Sequence, residues 1–173
     1  MLVLSQRRRM EALVGADRVA AAIDTLEPAM RRDYLDASAL GWVPQPAVRE
    51  VTRAVAQSAG LTGEALVERI VRDSVLELCQ GPWNILLRLT SDEALIERAA
   101  SLFARSFDGG TIRARRTSDA VEIVLEGWPR PDRMDLVSIR AGIAATLEAV
   151  DRRAVIEMGA QPGGARYVVR VVT

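Results

Sequence analysis

The sequence predicts an α+β fold in which an N-terminal helical half packs on a C-terminal antiparallel sheet of hairpin–helix–hairpin order. Up to residue 108, apolar side chains recur at helical spacing; after Gly109-Gly110 the spacing falls to two, which is typical of half-buried strands. The 173 residues are enough to build one sizeable core. We therefore expect a single domain, 1–173, with a flexible tail as one interpretation of 1–15, a helical half at 16–108 and a sheet half at 109–173.

The first helices are indicated by caps, prolines and an apolar face. Residues 1–10 fit a poorly ordered tail, a short strand or a short helix, and Arg7-Arg8-Arg9 fits a solvated tail better than a phosphate-binding one. Asp17 is a plausible N-cap. Pro28 and Pro46 suit the first turns of the two following helices. The positions expected to face inward are Val19, Ala20, Ile23, Leu26, Met30, Tyr34, Leu35, Val48, Val51, Val55 and Ala59.

Two further helices and an apolar segment complete the helical half. Thr62 is an N-cap candidate, and so is Ser91. Between them, Gly81-Pro82 interrupts the pattern, and the segment 83–89 is apolar on nearly all sides, so we expect it in the core. The positions expected to face inward are Leu66, Ile70, Val71, Ser74 and Leu78 after the first cap, and Leu95, Ala99, Leu102 and Phe103 after the second.

The sheet half has the pattern of two β-hairpins separated by one helix. Alternation over 112–125, broken by a short polar turn, predicts the first hairpin. Strands at 154–158 and 166–172, joined by a Pro-Gly-Gly turn, predict the second. The helix between them begins at Asp132 or Asp135, and the two hairpins most simply form one antiparallel sheet. The residues of this helix expected to face inward are Leu136, Ile139, Ile143, Leu147 and Val150.

The residue types that are missing exclude several classes of function. The chain has no His and no Lys, which removes the commonest general base, the commonest metal ligand and any Schiff-base amine. Cys79 is the single cysteine, so neither an internal disulfide nor a Cys/His zinc cluster can form. A haem ligated by His is excluded, although Cys79 or a tyrosine could in principle ligate one. We expect no enzyme, no catalytic residues, no metal and no cofactor.

Charge and hydropathy limit the expected partners. The 23 basic and 23 acidic residues give a formal net charge of zero, so no overall field attracts nucleic acid or an anionic membrane. The arginines of 113–116 lack interleaved aromatic residues and fit a solvated strand face better than an RNA-binding one. No apolar run reaches about 18 residues, so no membrane span is expected. In residues 1–9 the basic cluster follows the apolar residues, the reverse of a secretory signal, and we expect a cytoplasmic protein.

Three tryptophans and the cysteine are candidate pocket residues. Trp42, Trp83 and Trp128 each lie close to a proline in a connection, where a tryptophan commonly packs on the core as a lid. The alternative is that they wall an apolar pocket between the helices and the sheet. Cys79 fits a small buried hydrophobic residue better than a reactive or ligand-binding thiol, and both interpretations remain open.

Five short motifs occur in an order that resembles a family of bacterial domains. That family is uncharacterised and expanded in myxobacteria. It is related to 4-vinyl reductase domains, to haem nitric-oxide-binding domains and to subunits of the trafficking complex TRAPP. The resemblance covers roughly residues 17–172. The motifs are Gly41-Trp42-Val43-Pro44, Phe107-Asp108-Gly109-Gly110, Gly127-Trp128-Pro129, Arg140-Ala141-Gly142 and Tyr167-Val168-Val169-Arg170-Val171.

The resemblance implies a domain that senses a small molecule or builds an assembly, often as a dimer. It also implies an apolar or cofactor-holding cavity between helices and sheet, and it adds Arg140, which lies in one of the motifs, to the candidate pocket residues. The metal and haem sites of the relatives use Cys and His. Because this chain has no His and a single Cys, the resemblance does not extend to zinc or haem.

Three functions are consistent with the sequence. The first is a non-catalytic regulatory or signalling domain, a homodimer, that senses or holds a small apolar ligand. The second is a protein–protein adaptor or scaffold with no ligand, whose cavity is filled by its own side chains. The third is an enzyme that uses Asp, Glu, Tyr or Arg for acid–base chemistry, which a buried carboxylate with a strongly raised pKa would favour.

Overall fold

The computed structural model divides the chain into two compact units, Met1–Ile70 and Val71–Thr173. The division falls within a helix, whereas the sequence predicts that the two halves meet near residue 108. That the whole chain acts as one domain stays a prediction. The structure describes residues 2–36, 43–80, 87–91, 94–98, 110–128 and 131–172.

The described ranges contain helices in the N-terminal part and an antiparallel sheet in the C-terminal part, so the predicted α+β class is confirmed. None of these helices has both the length and the apolar character needed to cross a membrane. The helices are α1 (Leu2–Val14), α2 (Ala16–Asp24), α3 (Pro28–Leu35), α4 (Gln45–Ser58), α5 (Gly63–Leu78) and α6 (Arg133–Glu148), and residues 94–98 are also helical. The strands are β1 (Thr111–Arg116), β2 (Val121–Glu126), β3 (Arg153–Gln161) and β4 (Gly164–Val172).

The N-terminal unit packs α1 to α4 and the start of α5 around a core of its own. Of the three alternatives left open for residues 1–10, the structure has the helix, and Met10 on α1 is buried. Pro28 occupies the first turn of α3, as its fixed φ and missing N–H predict. The core residues of this unit are Met10, Val19, Ala22, Ile23, Tyr34, Val51, Val55, Ala56, Leu66 and Ile70.

Several local predictions for the helical half are wrong. Leu35 on α3, predicted to face inward, is 44% exposed, and Leu89, in the segment expected in the core, is 81% exposed. Helix α2 is preceded by Gly15, with φ +94°, and Asp17 lies within its first turn instead of capping it. Ala22 is buried and Ala20 is exposed, because Ala22 lies three residues after Val19 and shares its face. Leu78, predicted to face inward, is 68% exposed, whereas the buried residues of α5 lie in its first half. The buried residues of α5 are Leu66, Val67 and Ile70.

Two predicted N-caps are confirmed by their hydrogen bonds, and of the two predicted starts of α6 the structure has Asp132. Thr62 and Ser91 each accept a hydrogen bond from the backbone N–H three residues on, at 3.2 and 3.4 Å. Asp132 accepts one from the N–H of Met134 at 3.1 Å. The carboxylate of Asp135 in turn accepts from the N–H of Asp132 at 2.8 Å, which completes a capping box at the start of α6.

The four strands form one antiparallel sheet in the order β1-β2-β4-β3. The two hairpins are joined by the pairing of β2 with β4, in a register that places Ile123 opposite Tyr167. Alternate side chains face α6, and the face away from α6 is called the outer face below. Residues on the outer face are Arg113, Arg115, Glu122, Val124, Arg153, Val155, Glu157, Arg166, Val168, Arg170 and Val172.

The core of the C-terminal unit lies between α6 and the sheet. It contains the four residues of α6 predicted to face inward and also Val150, which follows the end of the helix. Leu95 of the helical segment 94–98 belongs to it too, whereas the other predicted inward positions of that helix lie outside the described residues. Burying one such side chain contributes about 1.5–3 kcal/mol. The buried core residues are Leu95, Ile96, Val121, Ile123, Leu125, Trp128, Leu136, Ile139, Ile143, Leu147, Val150, Ala165, Tyr167 and Val169.

Candidate functional site

Trp128 connects the end of the first hairpin to the turn of the second. Its backbone N–H donates to the carbonyl of Gly163 at 3.1 Å, and its side chain is 8% exposed within the C-terminal core. Gly110 lies close by with φ +82°, and a Cβ there would come within 2.9 Å of the Glu126 carbonyl oxygen and 3.5 Å of Trp128 Cβ. This packing fits the interpretation of Trp128 as a lid on the core. Its part in a ligand pocket stays a prediction.

Cys79 follows the last residue of α5 and is 8% exposed. Its N–H donates to the carbonyl of Val75 at 2.9 Å, which continues the helical hydrogen-bonding pattern by one residue. Burial raises the pKa of the thiol, because the thiolate would lose its hydration. Cys79 is therefore a neutral thiol at pH 7, as a small buried hydrophobic residue would be.

Arg140 lies on α6 between two buried neighbours, Ile139 and Ala141, and is itself half-buried. With Cys79 and Trp128 it belongs to the C-terminal unit. The two other pocket candidates, Trp42 and Trp83, lie outside the described residues. The prediction that these five residues line one pocket stays a prediction.

Tyr167 and Asp135 are buried polar residues of the C-terminal unit that the sequence pattern did not mark as candidates. The hydroxyl of Tyr167, which is fully buried, donates to the carbonyl of Leu136 at 3.3 Å. Burial raises its pKa well above the usual range, and the charge of Asp135 adds to the shift. The alternation of β4 already placed this tyrosine on the inner face, but its hydroxyl partner depends on how α6 packs.

Tyr34 is the corresponding tyrosine of the N-terminal core. It is 2% exposed, and its hydroxyl has no hydrogen-bond partner among the described residues. Burial raises its pKa to about 12. A buried hydroxyl without a partner costs roughly 1–3 kcal/mol, so it is a candidate contact for a water molecule or a polar ligand group.

Glu122 organises the outer face of the sheet. Its carboxylate accepts a hydrogen bond from Arg115 on β1 at 2.5 Å and forms an ion pair with Arg166 on β4. The residue is only 6% exposed, although its position in the register places it on the outer face, away from the core. The hydrogen bond from Arg115, together with the charges of both arginines, holds the pKa of Glu122 below its usual range.

A second set of ion pairs lies around Arg170 on β4. Its guanidinium contacts Glu157 of β3 at 2.7 Å and Asp119 of the β1–β2 turn at 3.3 Å. Arg113 lies 4.0 Å from Glu126. Four of the arginines on the outer face, Arg113, Arg115, Arg166 and Arg170, are thus paired with carboxylates of neighbouring strands. This supports the prediction of a solvated strand face over an RNA-binding one.

A surface cavity of about 400 Å³ lies on the N-terminal unit, where α2 is followed by α3. One ion pair, between Arg31 and Asp24 at 2.7 Å, belongs to its wall. None of the residues predicted to form the pocket lines it. Its lining residues are Asp24, Leu26, Pro28, Arg31, Arg32, Leu35 and Asp36.

The donor atoms of this chain do not fit an iron-ligated haem. No imidazole is available anywhere in the sequence. The remaining donors would be the methionine thioethers, the thiolate of Cys79 and the phenolates of Tyr34 and Tyr167. A methionine ligates haem iron alongside a His, which the chain lacks. Burial raises the pKa of the thiol and of both phenols, which disfavours the anions that iron needs. The described part of the chain contains no group of three or more Cys, Asp and Glu residues placed to hold a metal ion.

Solved structures similar to this one were found across the whole length of the chain. An Fe(II) unliganded H-NOX protein from K. algicida superposes with a TM-score of 0.73 at 11% identity, covering 99% of this chain and 95% of that one. The fold is that of H-NOX domains. A single-residue variant of the T. Tengcongensis H-NOX superposes with a TM-score of 0.66 at 16% identity, covering 98% and 94%. An oxygen-binding H-NOX domain related to soluble guanylate cyclases, in its oxygen complex, gives 0.63 at 17%, covering 98% and 92%.

At these identities the likeness to H-NOX structures establishes the fold alone. No protein-family profile matches the sequence, and no curated protein sequence matches it. The haem-NO-binding part of the predicted resemblance is therefore confirmed at the level of the fold. The links to 4-vinyl reductase domains and to trafficking-complex subunits, and the myxobacterial affiliation, stay predictions.

Proposed function

We propose that this chain is a non-catalytic signalling domain with the H-NOX fold that holds a small apolar molecule without an iron centre and acts as a homodimer. The proposal rests on one observation, the superposition of this structure on an H-NOX structure over 99% of the chain. One of the similar structures is an oxygen-binding domain related to soluble guanylate cyclases, in its oxygen complex, so a domain of this fold can bind a small ligand.

The donor groups that this chain contains limit the kind of ligand that it can hold. The chain has no His and no Lys, and its thiol and phenols are neutral, so the ligand is held by apolar contact and hydrogen bonds. Within the C-terminal unit we assign the contacts to Cys79, Trp128 and Arg140. The indole and the thiol would supply apolar surface, and the guanidinium would supply a donor for one polar group of the ligand.

Native mass spectrometry of the full chain tests the ligand. The expected result is a mass in excess of the chain under native conditions that is lost on denaturation, from a compound that organic solvent extracts. The purified protein should show no Soret absorption, even after incubation with haemin. A stoichiometric haem complex would overturn the iron-free part of the proposal. A native mass equal to that of the bare chain would overturn the ligand part.

A pair of variants tests the assigned contacts. Trp128→Phe keeps an aromatic ring in the core and should lower ligand occupancy, because the smaller ring loses contact surface. Val172→Ala, on the exposed outer face, is the matched control and should leave occupancy unchanged. Equal occupancy in both variants would contradict the assignment of Trp128.

A protein–protein adaptor without a ligand is the second candidate function. The observation in its favour is that Trp128 is packed against the residues of the C-terminal core, close to Leu125 and Gly110. In that case the native mass equals the chain mass, yet light scattering still reports a dimer. The described residues give the enzyme alternative no support. The carboxylate of Glu122 has a lowered pKa, and that of Asp135 is engaged in the capping box.

A further inference from the structure

Strand β3 is a terminal strand of the sheet, with β4 on one side and no strand of the described chain on the other. It is nine residues long and contains no proline. Half-buried and exposed residues alternate along most of it, and Val155 is 53% exposed. A long edge of this kind presents unpaired backbone N–H and C=O groups and is a template for pairing with another strand.

The side chains of β3 on the outer face are self-complementary about Val155. Arg153 lies two residues before it and Glu157 two residues after it, and all three are exposed. When two copies of β3 pair antiparallel about a two-fold axis at Val155, Arg153 of each copy lies opposite Glu157 of the other. The two exposed valines lie opposite each other between these opposite-charge pairs. Cross-strand pairs of both kinds stabilise antiparallel strands.

The hydrogen-bonding alternation of the strand agrees with this register. The two-residue turn between Gln161 and Gly164 closes on a hydrogen-bonded pair, so odd-numbered residues of β3 bond to β4 and even-numbered residues direct their backbone groups outwards. A two-fold axis at Val155 pairs Ala154 with Ile156 of the other copy. Both of these residues have outward-directed groups, and their half-buried side chains would be covered on the inner face.

The opposite edge of the sheet, β1, lacks this property. Its outer-face side chains include Arg113 and Arg115, and Arg116 follows. Two copies of β1 paired antiparallel would bring arginines together, and like charges opposite each other destabilise such a pair. The sheet therefore has one edge protected by charge and one edge that matches a second copy of itself.

We infer that β3 is the dimerisation surface of this protein, pairing with β3 of a second copy about a two-fold axis at Val155 to make a continuous eight-stranded sheet. The inference rests on the homodimer in the proposed function and names its surface. The symmetric contact is isologous, so it closes at two copies and does not propagate.

Cysteine crosslinking tests the register directly in the full chain with Cys79→Ala. In a non-hydrogen-bonded antiparallel pair the Cα atoms lie about 4.5 Å apart, within the range of about 4.4–6.8 Å that a disulfide spans. Val155→Cys should therefore give a covalent dimer on mild oxidation. Val172→Cys is the matched control, because Val172 has the same 53% exposure on the same face. From the strand spacing and rise, its two copies would lie roughly 20 Å apart and should not crosslink.

Charge reversal gives a second test that does not depend on cysteine. Arg153→Glu and Glu157→Arg should each raise the dimer dissociation constant about tenfold or more in sedimentation equilibrium, because each variant turns two opposite-charge pairs between the copies into like-charge pairs. Glu157→Arg also breaks the ion pair with Arg170 within its own sheet, so Arg153→Glu is the cleaner of the two variants. The double variant, Arg153→Glu with Glu157→Arg, restores opposite charges and should recover most of the affinity. Arg113→Glu on β1 is the control and should leave the dissociation constant unchanged. Circular dichroism checks that each variant is folded.

The outcomes separate this inference from the proposed function. A dimer that neither charge reversal weakens, or a Val155→Cys variant that crosslinks no faster than Val172→Cys, overturns the β3 surface and leaves the homodimer intact. A chain that sediments only as a monomer overturns both the surface and the dimer. The ligand is measured separately by native mass spectrometry and is unaffected by either result.

Discussion

Gly164 begins β4 at a place where the sheet leaves no room for a side chain. A Cβ built there would overlap the carbonyl oxygen of Leu125 and lie 2.8 Å from its carbonyl carbon. These are backbone atoms of β2, so no side-chain rotation relieves the overlap. Gly164→Ala must push the two strands apart where Gly164 pairs with Glu126.

The cost of Gly164→Ala follows from what that separation breaks. Losing one or two backbone hydrogen bonds of the ladder costs about 0.5–1.5 kcal/mol each. Shifting a packed core to accept an extra methyl group costs typically about 1–3 kcal/mol. We therefore expect the free energy of unfolding of the C-terminal unit to fall by about 2–5 kcal/mol. For a chain of this length, a lower midpoint by roughly 2–4 °C per kcal/mol is expected.

Gly159→Ala is the matched control, since the same methyl group is added in the same hairpin. A Cβ at Gly159 meets no atom within 4 Å, and the position is exposed. Alanine also loses less backbone entropy than glycine, so this variant should be neutral or more stable by about 0.5–1 kcal/mol. Urea unfolding followed by circular dichroism measures both variants. If Gly164→Ala were as stable as Gly159→Ala, the close approach of β4 to β2 would be refuted.

Three further predictions use hydrogen bonds and ion pairs of the C-terminal unit. Tyr167→Phe removes the hydrogen bond to Leu136 and should lower the unfolding free energy by about 1 kcal/mol in urea titration. Asp132→Ala removes the N-cap of α6 and half of its capping box, and should cost about 1 kcal/mol in the same assay. The pKa of Glu122 is lowered in the folded chain by Arg115, so its contribution to stability is present above the unfolded pKa and is lost as pH falls through the folded pKa. Glu122→Gln should therefore flatten the acid side of the stability-versus-pH curve measured by thermal melting.

Each of these three predictions has a result that contradicts it. If Tyr167→Phe had the same unfolding free energy as the parent chain, the hydrogen bond from the Tyr167 hydroxyl to the Leu136 carbonyl would make no net contribution to stability. An Asp132→Ala variant that loses no more than Arg133→Ala, its neighbour in the first turn of α6, would remove the capping argument. If the melting temperatures of the parent chain and of Glu122→Gln fell equally with decreasing pH, protonation of this carboxylate would not be linked to folding.

The parts of the fold that the sequence predicts best are those set by short-range periodicity. The 3.6-residue stripe from Leu136 to Val150 and the two-residue alternation of the hairpins are local patterns, and both are confirmed. The caps at Thr62, Ser91 and Asp132 are also local. Strand lengths are harder to predict. The pattern does not show that the turn has only two residues, so it does not show that β3 continues to Gln161 and that β4 begins at Gly164.

The polar contacts could not be predicted because they depend on which strands become neighbours. Arg115 and Arg166 meet at Glu122 only in the order β1-β2-β4, and the sequence alone allows other orders. The partnerless hydroxyl of Tyr34 depends on the packing of several helices. The exposure of Leu78 has the same origin, since a helical stripe shows which face is apolar but not how far along it the covering extends.

The three-strand contact at Glu122 has a consequence for the order in which the sheet opens. Strand β1 contributes only two half-buried apolar side chains, Ile112 and Ala114, to the core. On the outer face, the ion pair between Arg115 and Glu122 joins β1 to β2. Salt and acid weaken this ion pair, whose arginine is exposed, but leave the apolar contacts of β2 and β4 almost unchanged. The amide hydrogens of β1 should then exchange with solvent before those of β2, and earlier still at high ionic strength. The arginine-rich edge strand, β1, would separate from the sheet first, while the pairing of β2 with β4, where Tyr167 is buried, persists.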